Sequence, residues 1–161
     1  MPVSLYARSA LGTFALAGLL ALAGCSSSAP AGGGALAPGL SARMDAPGAS
    51  LDRATAVSLV NAFRATNGFP PLASDAGLDG SAQALANQYS ATGSAPRTPA
   101  GVSSMKLSAG YATFAETFSG WRNNPADAAG LLVPNATRMG VAVAFNAASS
   151  YGIHWVVILD D

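Results

Sequence analysis

Met139-Gly140-Val141-Ala142-Val143-Ala144-Phe145 and, seven residues on, Gly152-Ile153-His154-Trp155-Val156-Val157-Ile158-Leu159 decide the fold. The first run alternates large and small side chains. The second is dense in β-branched and aromatic residues, the composition that suits a pleated, half-buried surface. Asn146 to Tyr151 between them reads as a hairpin-type loop. Upstream of this pair the chain reads as helical. Ala56, Val57, Leu59, Val60 and Phe63 recur at helical spacing, with Ser50 or Asp52 as cap and Asn67-Gly68 as the stop. Phe69-Pro70-Pro71-Leu72 makes an extended corner, because proline restricts itself and its predecessor. A second helix runs from about Ala76 or Leu78 to Thr92, with Leu78, Ala82, Leu85, Ala86 and Tyr89 on one stripe. Gly93 to Gly101 is a loop. A third helix spans about Phe114 to Arg122 and is broken at Asn124-Pro125, and a fourth turn or helix covers Ala126 to Leu132. Helices first and a late antiparallel strand pair predict an α+β sandwich.

The N-terminal part of the 161-residue chain reads differently. An apolar run from Leu11 to Ala23 follows Arg8 and closes on Leu22-Ala23-Gly24-Cys25, which holds the chain's single cysteine. The run is too short for a membrane span, which needs roughly 20 apolar residues, and its flanks are those of a secretory signal. The ending is similar to a bacterial lipobox. That resemblance implies cleavage before Cys25 and lipidation of its thiol, so residues 1–24 are expected to be a lipoprotein signal peptide and Cys25 a membrane anchor. The alternative is an ordinary signal peptide with an incidental cysteine. Residues 25–50, rich in Ser, Ala, Gly and Pro, are expected to form a flexible linker, with the globular domain at 51–161. Ser26 is non-acidic, which in Gram-negative lipoproteins goes with outer-membrane sorting. The expected location is the cell envelope, on the periplasmic face of the outer membrane.

Composition narrows the function. Without Arg8 the basic residues are Arg43, Arg53, Arg64, Arg97, Lys106, Arg122 and Arg138, against eight acidic ones. Such a near-neutral chain has no basic patch, which argues against nucleic acid as partner. With Cys25 lipidated no thiol remains for a disulfide, a zinc ligand or a nucleophile.

Four segments, taken in order, resemble the CAP superfamily, also called the SCP domain, in its short bacterial branch. They are Asn61-Ala62-Phe63-Arg64 through Pro71-Leu72; Leu78, Ala82, Ala86 and Tyr89; Trp121-Arg122-Asn123-Asn124-Pro125 through Leu131-Leu132; and Met139-Gly140-Val141 with His154-Trp155-Val156. The resemblance covers about Leu51 to Leu159 and implies a CAP-like α-β-α sandwich with a small antiparallel sheet and paired C-terminal strands. It also implies a cleft where two histidines and acidic residues hold a divalent metal in many members, imidazole and carboxylate being the ligands such an ion takes. Here the expected ligands are missing. No histidine lies between Gly93 and Ser104, Met105 replaces the glutamate of the Gly-Glu-Asn signature, and Asp127 replaces the second histidine. Neither a metal nor another cofactor is expected.

Three polar residues remain as low-grade catalytic candidates: Glu116, Asp127 and His154. Each also has a structural reading. Glu116 and Asp127 suit helix N-termini, and His154 stands at an aromatic position of the last strand, on the face opposite Ile153 and Trp155. No Gly-x-Ser-x-Gly elbow supports a triad. Phe114, Phe118, Trp121 and Tyr111 read as a packing group whose functional alternative is an apolar groove for a lipid or glycan. Asn61 is placed to hydrogen-bond across the core, and Arg64 to pair with an acid or remain solvated. The function expected is a lipid-anchored, extracytoplasmic, non-catalytic binding or scaffolding module with an envelope protein, glycan or lipid as partner. The alternative is a hydrolase with a remodelled cleft using Asp127, Glu116 and His154.

Overall fold

The computed structural model describes residues 36–161; the expected signal segment, Cys25 and the stretch to residue 35 lie outside the described residues. Five helices and four strands follow in the order α1 (Pro38–Ser41), α2 (Arg53–Thr66), β1 (Ala73–Ser74), α3 (Ala76–Thr92), β2 (Ser104–Ala109), α4 (Phe114–Asn123), α5 (Pro125–Leu131), β3 (Arg138–Phe145) and β4 (Ile153–Asp160). The strands form one sheet in the order β1-β3-β4-β2. The expected hairpin is there, with β3 antiparallel to β4 from Arg138↔Asp160 to Phe145↔Ile153. Two strands are additions to the sequence reading. β2 lies antiparallel to β4, and β1 adds a two-residue parallel pairing on β3.

β4 is central and buried on both faces, which is why its sequence, His154 apart, is apolar from Ile153 to Leu159 rather than alternating. Ile153, Trp155, Val157 and Leu159 point to one side, into a core shared with Val60 of α2, Phe114, Phe118 and Trp121 of α4 and Leu131 of α5. Val156 and Ile158 point to the other side, against Ala82 and Ala86 of α3. The alanines on this second face let α3 lie close to the sheet. Closest approach is at Gly140 of β3, where a Cβ would overlap the backbone of Leu78 and Asp79.

Helix ends follow local chemistry. Asp52 caps α2 by accepting from Thr55 N at 2.9 Å, and Asp75 caps α3 by accepting from Leu78 N at 2.9 Å. Gly93 ends α3 in the left-handed region (φ +68°), which glycine adopts without a Cβ penalty.

The domain boundary expected at Leu51 needs correction. Leu40 of α1 and Met44 are buried in the main core, and Met44 N donates to Ala112 O at 2.8 Å. The segment expected to be linker therefore holds two large apolar side chains spaced to bury together, and the packed domain begins upstream of residue 40. The remainder of the expected linker, 25–35, lies outside the described residues.

The two ends of the sheet carry side-chain partners. Along β3, Val141 N donates to Asp79 Oδ1 at 2.9 Å, Arg53 Nε donates to Val141 O at 3.0 Å and Gln83 Nε2 donates to Val143 O at 2.9 Å. At the β2 end, Trp121 Nε1 donates to Leu107 O at 2.9 Å. These bonds satisfy backbone groups that an edge strand otherwise exposes.

Candidate functional site

The residues singled out from the sequence do not meet. β2 alternates: Met105 and Leu107 pack toward the α3 side, so the intervening Lys106 faces the α5 side. Met105, expected in place of the signature glutamate, is thus turned away from Asp127, and Lys106 takes the position facing it. Lys106 Nζ lies 3.2 Å from Asp127 Oδ1 and donates to Ala126 O at 3.4 Å. Its stem crosses Gly130, where a Cβ would overlap Cε and Nζ. Asp127 stands in the first turn of α5, where Asn124 Oδ1 accepts from Ala126 N at 3.0 Å and Asp127 N at 3.3 Å. Its carboxylate therefore sits at a favourable helix end and against an ammonium.

Glu116 is committed elsewhere. Thr113 and Glu116 form a reciprocal capping box at the start of α4. Glu116 Oε2 accepts from Thr113 N and Oγ1 at 3.0 Å each, while Thr113 Oγ1 accepts from Glu116 N at 3.2 Å. About 10 Å of helix rise separates Glu116 from the end of α4, beyond which Asp127 begins α5.

His154 is on the opposite face of the sheet. It is fully buried, with its ring edge-on to Tyr89 of α3 at 4.6 Å between centroids. Its Nε2 lies 3.2 Å from Ser149 Oγ. Nδ1 has no partner, so no carboxylate orients the ring as a general base requires. Burial pushes its pKa below the ordinary histidine value, and the ring is a neutral core group at pH 7. The sheet separates it from Glu116 and Asp127. Among the described residues, no three His, Cys, Asp or Glu side chains gather as a metal site.

Arg64 departs most from expectation. It neither pairs with an acid nor faces solvent: it is completely buried. Nε donates to Pro70 O at 2.9 Å, Nη1 to Leu131 O at 2.8 Å and Val133 O at 3.2 Å, and Nη2 to Ala136 O at 3.4 Å. One planar, five-donor head thus ties α2 to the Pro-Pro corner, to the C-terminus of α5 and to the turn before β3. Burial without a carboxylate lowers its pKa, yet a guanidinium starts high enough to stay charged. Asn61, one turn earlier, clamps the same corner through Nδ2 to Leu72 O at 2.9 Å and Leu72 N to Oδ1 at 2.8 Å. Together the two residues hold the platform on which Asp127 and its helix sit.

Three of the hollows on the described surface flank α4. Two hollows of about 210 Å³ each, sharing Leu59, Phe118 and Arg122, line the groove between α2 and α4. A third, of about 330 Å³, is lined by Tyr111, Glu116, Ser119, Gly120 and Asn123. Phe114, Phe118 and Trp121 pack as a core stripe as expected, but Tyr111 does not join them and is 44% exposed.

A four-stranded sheet with α3 on one face and α2, α4 and α5 on the other makes this an α-β-α sandwich. Residues 57–159 match CAP, the Cysteine-rich secretory protein family, and the chain belongs to that family. Comparison with curated proteins gives no match. Among solved structures, MpPR-1i is similar at TM-score 0.54 and 18% identity, over 66% of this chain and 84% of that one. An extracellular protein containing an SCP domain from Bacillus anthracis str. Ames is similar at TM-score 0.55 and 15% identity, over 68% of this chain. A cysteine-rich secretory protein from Staphylococcus aureus subsp. aureus Mu50 is similar at TM-score 0.51 and 12% identity, again over 68% of this chain. The match covers 40% of each of these two bacterial proteins. At such identities the likeness is one of fold.

Proposed function

We propose that this CAP-domain chain is a lipid-anchored, extracytoplasmic protein that serves the cell envelope as a non-catalytic binding or scaffolding module. In this reading its metal cleft is degenerate, Cys25 carries the lipid, and the domain stands on the periplasmic face of the outer membrane. The observation that carries the reading is the Lys106–Asp127 ion pair. Asp127 stands where the family resemblance puts a metal-binding histidine, and its carboxylate already faces an ammonium. An incoming divalent ion would meet a like charge a few ångströms away, a repulsion strengthened by partial burial. The extracellular description of the Bacillus anthracis neighbour is consistent with export. Against the hydrolase alternative, His154 lies across the sheet from both carboxylates, and its Nδ1 has no carboxylate to orient the ring.

Metal content of the purified chain, followed by calorimetric zinc titration, tests the cleft. The expected result is well below one bound equivalent. A tight stoichiometric zinc ion that is lost on Asp127→Asn would overturn the reading. Membrane fractionation of the Cys25→Ser chain tests the anchor, with a shift to the soluble fraction expected.

A further inference from the structure

We propose that the hollow beside α4 is a binding site for a neutral pyranose sugar, with Tyr111 as its stacking platform. This deepens the binding-module reading, on which it rests, by naming a ligand class. Tyr111 is one of three large apolar side chains left exposed among the described residues. An ideal Cβ on Gly120 would stand 3.4 Å from Tyr111 Cε2 and 3.5 Å from its hydroxyl oxygen, ordinary contact distances, so the tip of the ring rests beside α4 at Gly120. With 44% of the residue exposed, the ring offers apolar surface to a ligand. Trp155 Nε1 donates to Tyr111 O at 2.8 Å, which fixes the backbone of the platform to the central strand.

Around this ring the cavity of about 330 Å³ presents a carboxylate, a hydroxyl and an amide, from Glu116, Ser119 and Asn123. These fall on successive turns of one helix face. The capping box uses only Oε2 of Glu116, so Oε1 remains an acceptor, and Glu116 forms no ion pair among the described residues. An aromatic face bordered by planar and hydroxyl hydrogen-bonding groups matches a pyranose, whose C–H face is apolar and whose rim is hydroxyls. The hollow is shallow and open to solvent. It lacks the enclosure an acyl chain needs.

The test is an NMR titration of the full chain, kept in a detergent without a sugar headgroup, with chitotriose and with cellotriose. The expected result is shift changes confined to residues 111–123, with a dissociation constant on the order of 1 mM for at least one of the sugars. Tyr111→Ala should weaken binding about tenfold, and Tyr111→Phe should retain it. Unchanged resonances around His154 confirm that the fold is intact in each variant. No shifts with either sugar, shifts elsewhere on the domain, or equal affinity in Tyr111→Ala would each overturn the proposal. The zinc and fractionation measurements do not involve Tyr111, so failure here leaves them standing, and their failure is read independently.

Discussion

Replacing Arg64 by Met should cost the domain about 3–5 kcal/mol. The figure comes from what the guanidinium leaves behind. Its four acceptors are backbone carbonyls, so no second substitution removes them along with it. The bonds to Leu131 O and Ala136 O are buried, and each orphaned acceptor costs about 1–3 kcal/mol. Those to Pro70 O and Val133 O are only partly buried, so water can replace some of what is lost. Exchanging a buried ion pair for apolar side chains is often neutral because both partners go together. That relief is absent here. Methionine refills much of the stem's volume, which keeps the cavity contribution small. For a domain of this size the loss corresponds to a drop of roughly 10–20 °C in Tm. In urea it corresponds to a midpoint shift of about 2 M at an unchanged slope. Arg64→Lys keeps the charge but replaces the fork with a point donor and should lose about half as much. Denaturation followed by circular dichroism reads all three proteins. A loss below about 1 kcal/mol in Arg64→Met would refute the argument, since the carbonyls would then be satisfied without the arginine.

Gly140→Ala should be more severe than an ordinary strand substitution, because its Cβ would overlap backbone rather than a movable side chain. A loss above about 2 kcal/mol, or failure to fold, is expected in the same denaturation assay, and a near-neutral result would mean that α3 can slide off the sheet. Stability should also fall on mild acidification. The folded-state pKa of His154 is below its unfolded value of 6.5, so below that pH the unfolded chain binds the extra proton and folding weakens, by at most about 1.4 kcal/mol per pH unit. The carboxylates with lowered pKa, Asp45, Asp52 and Asp75, have ordinary values of 3.8, and their contributions fade only at more acid pH. His154→Gln should therefore flatten the profile just below about pH 6.5, and an unchanged slope there would assign it to other groups.

The elements legible from sequence were those whose signals are local. Asp52 and Gly93 mark helix ends by residue type, and the 139–159 hairpin declares itself by β-branched density. β2 was missed because Ser104-Met105-Lys106-Leu107-Ser108-Ala109 is weakly β-forming. Its period-two alternation of Met105 and Leu107 against polar neighbours was the available signal. Leu40 and Met44 were hidden in a Ser/Ala/Gly/Pro-rich composition that reads as linker when averaged. Arg64 was misjudged for a different reason: its acceptors are carbonyls far along the chain, and no residue type announces a carbonyl that needs a donor. At the candidate site, helix-end roles for Glu116 and Asp127 could be read from position alone. The Lys106–Asp127 pairing needed the register of β2, and the exposure of Tyr111 needed the whole fold.

The side chains guarding the sheet ends bear on life at high density. Crowded molecules meet neighbours often, and two bare strands that touch can zip into a continuous ribbon. Arg53, Asp79 and Gln83 already occupy the positions such a neighbour would claim on β3, so crowding can raise the collision rate of these domains without giving them β3 to join.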